Sequence, residues 1–239
     1  MDISFRGKVV LVAGGTGGLG SAVALAFLRE GATVAVTYRK ETEFAALRTA
    51  AAANSPQLTG HSADVTDESA AAQLIATLLA RHGRIDAVVN TIGGYAGGIK
   101  RWDLETKTFD AMLQLNLRSG FTLARAVLPA ILKQGHGSFV NVAAKAAVDH
   151  GAGAAAYAAS KAAAVALMDS LAADARGTGV RVNSILPSII DTRANRQAMP
   201  NADFASWPRP EDLAQVILFL SSDAAKAIHG ASIPVYGNS

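Results

Sequence analysis

Val9-Val10-Leu11-Val12-Ala13-Gly14-Gly15-Thr16-Gly17-Gly18-Leu19-Gly20 is the stretch whose reading decides the fold. Its first four residues are apolar without a break, as in a buried strand of a parallel sheet. The glycines make a turn, and Ser21-Ala22-Val23-Ala24-Leu25-Ala26-Phe27-Leu28 follows with apolar residues at helical spacing. A strand that runs through glycines into a helix N-terminus suits a pyrophosphate. Missing side chains let phosphate oxygens reach the backbone, and the first N–H groups point outward at the positive end of the helix dipole. Gly14, Thr16, Gly17, Gly18, Leu19 and Gly20 are therefore candidate phosphate-loop residues. The plain alternative is a glycine-rich turn that holds nothing. The spacing Gly14-x-x-x-Gly18-x-Gly20 differs from Gly-x-Gly-x-x-Gly, so residues further along must decide.

A chain of 239 residues fits one α/β domain with a core on both faces of its sheet. Half the residues are hydrophobic and 17% are charged, a balance that argues against disorder. The net charge of +3 is not gathered into any run of Lys or Arg, so no nucleic-acid surface is expected. There is no cysteine, which excludes a disulfide framework and thiolate chemistry. His61, His82, His136, His150 and His229 lie far apart without ligand spacing, and no metal site is expected. Met1-Asp2-Ile3-Ser4-Phe5-Arg6 does not resemble a signal peptide, and no run of about 18 apolar residues suggests a membrane span. A cytoplasmic location is the expectation.

Apolar runs alternate with helical stretches to the end of the chain. Strands are expected at 32–39, 58–65, 85–91, 137–144, 180–187 and 231–236, after the first at 9–12. Helices are expected at 41–53, 67–82, 108–134 (bent near Pro129), 154–176 and 210–221. A longer loop spans about 189–208. This alternation predicts a single Rossmann-like, doubly wound α/β domain over 1–239, with a seven-stranded parallel sheet and helices on both faces.

The end of strand two should lie beside an adenosine ribose. An acid there would bind the 2′-hydroxyl of NAD(H); here Thr37-Tyr38-Arg39-Lys40 offers cations instead. Arg39 suits a 2′-phosphate, and Tyr38 or Arg39 would cover the adenine, so NADP(H) is preferred and NAD(H) remains open. The bland reading is ordinary surface cations at a strand end. Asp64-Val65 closes strand three where a carboxylate can accept from the adenine amino group. Asn90 ends strand four at the same edge, where its amide would tie neighbouring loops to the cofactor. Tyr157-Ala-Ala-Ser-Lys161 places a phenol and an ammonium four residues apart on one helix face. A nearby cation lowers a phenol pKa, so Tyr157 is expected to titrate toward neutrality and act as general acid or base.

With these residues in place the whole chain resembles the short-chain dehydrogenase/reductase family. Gly14, Gly18 and Gly20 match its cofactor loop, Asp64 its adenine-contacting Asp, and Asn90-Thr91-Ile92-Gly93 a degraded Asn-Asn-Ala-Gly. The resemblance implies a catalytic set of Tyr157, Lys161 and Asn116. Lys161 would also hold the nicotinamide ribose, and Asn116 would hold a proton-relay water near the Lys. Pro187-Ser188-Ile189-Ile190-Asp191-Thr192 resembles the Pro-Gly-x-x-x-Thr segment that meets the carboxamide, so Pro187, Ile190 and Thr192 join the cofactor set. The family commonly assembles through two long helices, here 108–134 and 154–176, which implies a homotetramer or homodimer.

One departure stands out. The family usually places a Ser thirteen residues before the Tyr, and here that position is Ala144. Ser138 is six residues back along the strand, roughly 20 Å away. Losing such a donor typically costs about 3 kcal/mol of transition-state stabilisation. Segments 93–98, 144–149 and 191–207 resemble dihydropteridine reductase, a family member that also lacks the Ser and reduces a ring imine. That enzyme carries an acid where Tyr38-Arg39 stands here. The small-molecule pocket is expected beneath 189–208, with Tyr95, Lys145, Asp149, Met199 and Trp207 as candidate lining residues. Tyr95 or Trp207 would stack on a flat heterocycle; core filling or loop tethering is the alternative for each. Three functions follow: a reductase of a conjugated imine or carbonyl, with a quinonoid dihydropteridine preferred; a general ketone or 3-oxoacyl reductase; and a catalytically idle nucleotide binder.

Overall fold

A computed structural model describes residues 3–239. Seven parallel strands form one sheet in the order β3-β2-β1-β4-β5-β6-β7. They are β1 (Val9–Ala13), β2 (Thr33–Tyr38), β3 (Leu58–Ser62), β4 (Ala87–Asn90), β5 (Gly137–Val142), β6 (Val180–Pro187) and β7 (Ser232–Val235). The helices are α1 (Gly18–Arg29), α2 (Glu41–Ala51), α3 (Glu68–His82), α4 (Thr106–Leu113), α5 (Ser119–Gln134), α6 (Ala155–Asp174), α7 (Arg193–Ala198) and α8 (Pro210–Ser221). The doubly wound sheet is as expected.

Strand residues alternate between two cores. Val10, Val12, Val34, Val36 and Val89 pack with Phe27, Val23, Leu213 and Ile217 on one face. Leu11, Val88, Phe139 and Val182 pack with Leu78, Leu123, Ile131 and Met168 on the other. Central strands buried on both faces need apolar residues at every position, which is why β1 shows no period-two pattern. The chain enters at β1, winds outward to β3, then returns to lay β4 against the other side of β1. That reversal opens a crevice at the carboxyl ends of β1 and β4, where open α/β sheets take their ligands.

The expected helix 108–134 is two helices. A π-helical turn, Gln114–Arg118, separates α4 from α5, while Pro129 lies inside an uninterrupted α5. Single π-turns recur at functional sites, and this one carries Asn116. The loop at 189–208 is also more structured than expected, since Thr192 caps α7 by accepting from Asn195 N at 3.2 Å. β3 and β5 stop at Ser62 and Val142, short of their expected ends, because Asp64 and the segment after Val142 turn away to serve loops.

At the opposite, amino edge of the sheet, buried Asp86 joins three strands. Its carboxylate accepts from Val9 N at 2.8 Å and takes a bidentate pair with Arg84, while its main chain bonds Val9 and Ser138. His136 and Lys8 stand at 3.3 and 3.9 Å. Replacing Asp86 by Ala strands Val9 N and a guanidinium at once. Urea denaturation should show the unfolding free energy of the Asp86→Ala protein falling by about 2 to 3 kcal/mol.

Candidate active site

The glycine loop is shaped by close approach. Gly14 has φ +77°, and its N–H is held by Thr37 Oγ1 at 2.8 Å. A side chain on Gly15 would strike Val36, and one on Gly20 would strike the Gly14 carbonyl. A Cβ on Gly18 would lie 2.9 Å from the Thr192 methyl, so this glycine lets the root of the 189–208 segment settle on the loop. No side chain caps the N-terminus of α1, and its first turn carries no acid. Leu19 is buried and anchors the loop from below. Thr91, just past β4, ties the two central strands by donating its hydroxyl to Ala13 O at 2.7 Å.

A crevice of about 330 Å³ opens beside this loop, lined by Gly14, Thr16, Gly17, Tyr38, Arg39, Asp64 and Val65 among the predicted residues. Thr37, Glu43, Thr66, Gln114 and Leu115, which the sequence did not single out, line it too. Asp64 Oδ1 accepts from both the N–H and the hydroxyl of Thr66, at 2.9 and 2.8 Å. Tyr38 stacks flat on Phe44 at 5.1 Å, and nearby Glu41 holds its phenol above the ordinary value. Arg39 makes no ion pair among the described residues, whereas Lys40 is 3.7 Å from Glu43. Glu43 also accepts from Thr16 at 3.2 Å. The cradle, the free helix end and the unpaired guanidinium fit a dinucleotide.

Asn90 departs from its expected place. It is buried, donates to Asn141 at 3.0 Å and accepts from Ile92 N at 3.3 Å, so it braces β4 against β5 instead of facing the crevice. Asn116 is likewise buried, and its two amide hydrogens go to Gly94 O and Ser160 Oγ, both at 3.0 Å. Its Oδ1 accepts from Gly94 N at 2.9 Å. Asn116 Oδ1 and Lys161 Nζ flank Gly93, each 3.0 Å from where a Cβ would sit. The amide therefore pins the 93–94 loop beside Lys161, and its N–H groups are not free to hold a relay water.

Tyr157 and Lys161 lie on α6 as the spacing required, but they do not act on each other as expected. Lys161 is fully enclosed and donates to Val142 O at 3.0 Å. Burial alone lowers its pKa to about 8. The Tyr157 phenol is raised to about 12, by burial and then by neighbouring Tyr95, and no effect of Lys161 opposes this. The lysine's charge is spent on a carbonyl at the end of β5, so the lowered phenol is a correction.

Of the substrate candidates, the structure brings Tyr95 to Tyr157, ring centroids 5.0 Å apart and edge to face. Lys145 pairs with Asp149 at 3.9 Å and lies over the Tyr236 ring. Trp207 is buried against Phe204 and belongs to a separate cavity of about 570 Å³, with Asp191, Arg196 and Asn238. That cavity is the larger, but the glycine loop and Arg39 line the smaller crevice, and Tyr157, Lys161 and Asn116 line neither. Met199 ends α7. Pro187 ends β6, and Ile190 packs on the α1-side core.

A family model described as short chain dehydrogenase matches residues 8–203. The chain belongs to the short-chain dehydrogenase family. It is 30% identical to 3-oxoacyl-[acyl-carrier-protein] reductase FabG of Thermotoga maritima, over 97% of each chain. It is 33% identical to D-threitol dehydrogenase of Mycolicibacterium smegmatis, over 99% of this chain and 95% of that one. Among solved structures, levodione reductase superposes with a TM-score of 0.90 at 27% identity, covering 98% and 97%. ElxO with NADP bound superposes at 0.91 with 23% identity over 96% and 97%, a likeness of fold. This short-chain dehydrogenase is thus an oxidoreductase by family, and the family's cofactor is NAD(H) or NADP(H). No helix among the described residues is long and apolar enough to cross a membrane.

The lysine carries a consequence for stability. Unfolded, Lys161 keeps its proton to about pH 10.5; folded, it loses it near 8. Between these values the unfolded chain binds more protons, so stability should rise with pH. Tyr157 opposes this only above its ordinary 10. Urea midpoints of the cofactor-free short-chain dehydrogenase should therefore climb from pH 8 to 10, and Lys161→Met should flatten the climb.

Proposed function

We propose that this protein is an NADP(H)-dependent reductase of a ketone or 3-oxoacyl carbonyl, working through Tyr157. The observation that carries the reading is the half-buried phenol set edge to face with Tyr95, held in its protonated form with Lys161 one turn further on. When bound, the reduced nicotinamide supplies the hydride. Tyr157 gives its proton to the oxygen that gains charge. A phenol near 12 is still a stronger acid than the alcohol it creates, so the transfer runs downhill. Lys161, cationic below about 8, would hold the nicotinamide ribose. Gly14 to Gly20 and the α1 N-terminus hold the pyrophosphate, Asp64 the adenine, and Arg39 a 2′-phosphate. Pro187, Ile190 and Thr192 meet the carboxamide end.

The relatives' printed activities on 3-oxoacyl and polyol compounds favour a carbonyl–alcohol couple. A conjugated ring imine such as a quinonoid dihydropteridine is the second reading, favoured by Ala144, since a ring nitrogen protonated by Tyr157 has less need of a hydroxyl there. Tyr157 and Lys161 together argue against an idle nucleotide binder, which has no chemical use for the pair. Purified protein should oxidise NADPH faster than NADH with an acetoacetyl thioester or a cyclic diketone. Turnover with quinonoid dihydropterin alone would transfer the assignment to the imine. Tyr157→Phe should lower kcat at least 1,000-fold and leave NADPH affinity within twofold; retained turnover would remove Tyr157 from the chemistry.

The assembly proposed is a homotetramer, or a homodimer, built on α4, α5 and α6. Phe109 and Phe121 are large and exposed on α4 and α5, and α6 is rich in alanine that permits close packing. Light scattering should give a mass of two or four chains, and a monomer would contradict it.

A further inference from the structure

We propose that the Tyr95 hydroxyl is a second catalytic hydrogen-bond donor to the reacting oxygen or nitrogen, filling the role left open at Ala144. The proposal rests on Tyr157 being the proton donor. Ala144 is buried, and from Val142 to Asp149 the chain offers no hydroxyl. Ser138 is at the far end of β5, with its hydroxyl directed to Ser221 O at 3.5 Å. Three other hydroxyls near the carboxyl edge donate elsewhere. Ser160 donates to Tyr157 O at 2.7 Å, Ser188 to Tyr236 O at 2.7 Å, and Thr91 to Ala13 O. Thr192 Oγ1 accepts from Asn195 N as the α7 cap, and its side chain lies against Gly18 of the glycine loop.

Tyr95 differs from all of these. Its hydroxyl has no hydrogen-bond partner among the described residues, the side chain is 67% exposed, and its ring stands edge to face with Tyr157. An exposed aromatic on a loop would ordinarily be free to swing, yet this one is held in place. Asn116 clamps the N–H and C=O of Gly94 immediately before it. The hydroxyl end of the ring lies against Gly97, where any side chain would collide with it. Gly98 then packs on Gly153, and Ile99 N donates to Gly153 O at 3.3 Å, which fixes the loop to the segment leading into α6. A donor held rigid before the substrate arrives needs no reorganisation as charge develops, which is the condition for a large effect.

The test compares Tyr95→Phe, Tyr157→Phe and Tyr95→Phe/Ala144→Ser, with NADPH and the acetoacetyl thioester, NADPH affinity being measured by fluorescence. Removing one preorganised donor should lower kcat by about 100-fold. KM and NADPH affinity should stay within threefold, because Phe keeps the ring contact. Adding the Ala144→Ser hydroxyl should recover at least tenfold of the loss. A Tyr95→Phe enzyme within threefold of wild-type kcat overturns the proposal, as does a loss confined to KM, which would make Tyr95 a packing surface. Inactive Tyr157→Phe beside unimpaired Tyr95→Phe refutes only the second donor. Active Tyr157→Phe refutes the underlying reading as well.

Discussion

The site depends on how closely α1 approaches the end of β1. Gly20 sits against the Gly14 carbonyl at a separation no side chain permits, and Gly15 sits against Val36 in the same way. The approach aims the unsatisfied N–H groups of α1 into the crevice made by the sheet's reversal. Thr37 and Thr91 then fasten the loop from the neighbouring strands, one to Gly14 N and the other to Ala13 O. Because β2 and β4 flank β1, the same contact also sets where Arg39 and Gly93 stand, and so joins the adenosine end of the crevice to the catalytic end.

At the catalytic end, buried polar groups do for the loop what glycine does for the phosphates. Asn116 reaches from the π-turn between α4 and α5 to both polar atoms of Gly94 and to Ser160. Lys161 reaches Val142 O from α6. Each link joins a different element to the next, and the bonds to Ser160 and Val142 are enclosed, where breaking one leaves an unsatisfied group at a cost of roughly 1 to 3 kcal/mol. The exposed Tyr95 follows Gly94, whose N–H and C=O are both held by Asn116, and its ring lies against Gly97.

Burial governs the titration here more than proximity does. A phenol and an ammonium on one helix face lead one to expect mutual stabilisation of their charged forms. Instead, enclosure favours the neutral form of both, raising Tyr157 and lowering Lys161. A protonated phenol is the form that the proposed reduction needs of its proton donor.

The unbroken apolar run of β1, the glycines after it, the alternation of strands with helices and the Tyr157–Lys161 spacing were legible because each is a local pattern tied to backbone geometry. They determined the doubly wound fold, the position of the crevice and the family. The π-turn at Gln114–Arg118 was not legible, since its residues keep ordinary helical character and the partners of Asn116, Gly94 and Ser160, lie far off in sequence. Nor was the fate of Asn90, Lys145 or Trp207, whose residue types suit a ligand and a core equally well. Only the tertiary structure decided which polar side chains would be consumed by the protein itself. It left Tyr95 and Tyr157 unbonded side by side and committed Lys161 to Val142, because hydrogen-bond partners far apart in sequence are assigned by packing and not by spacing.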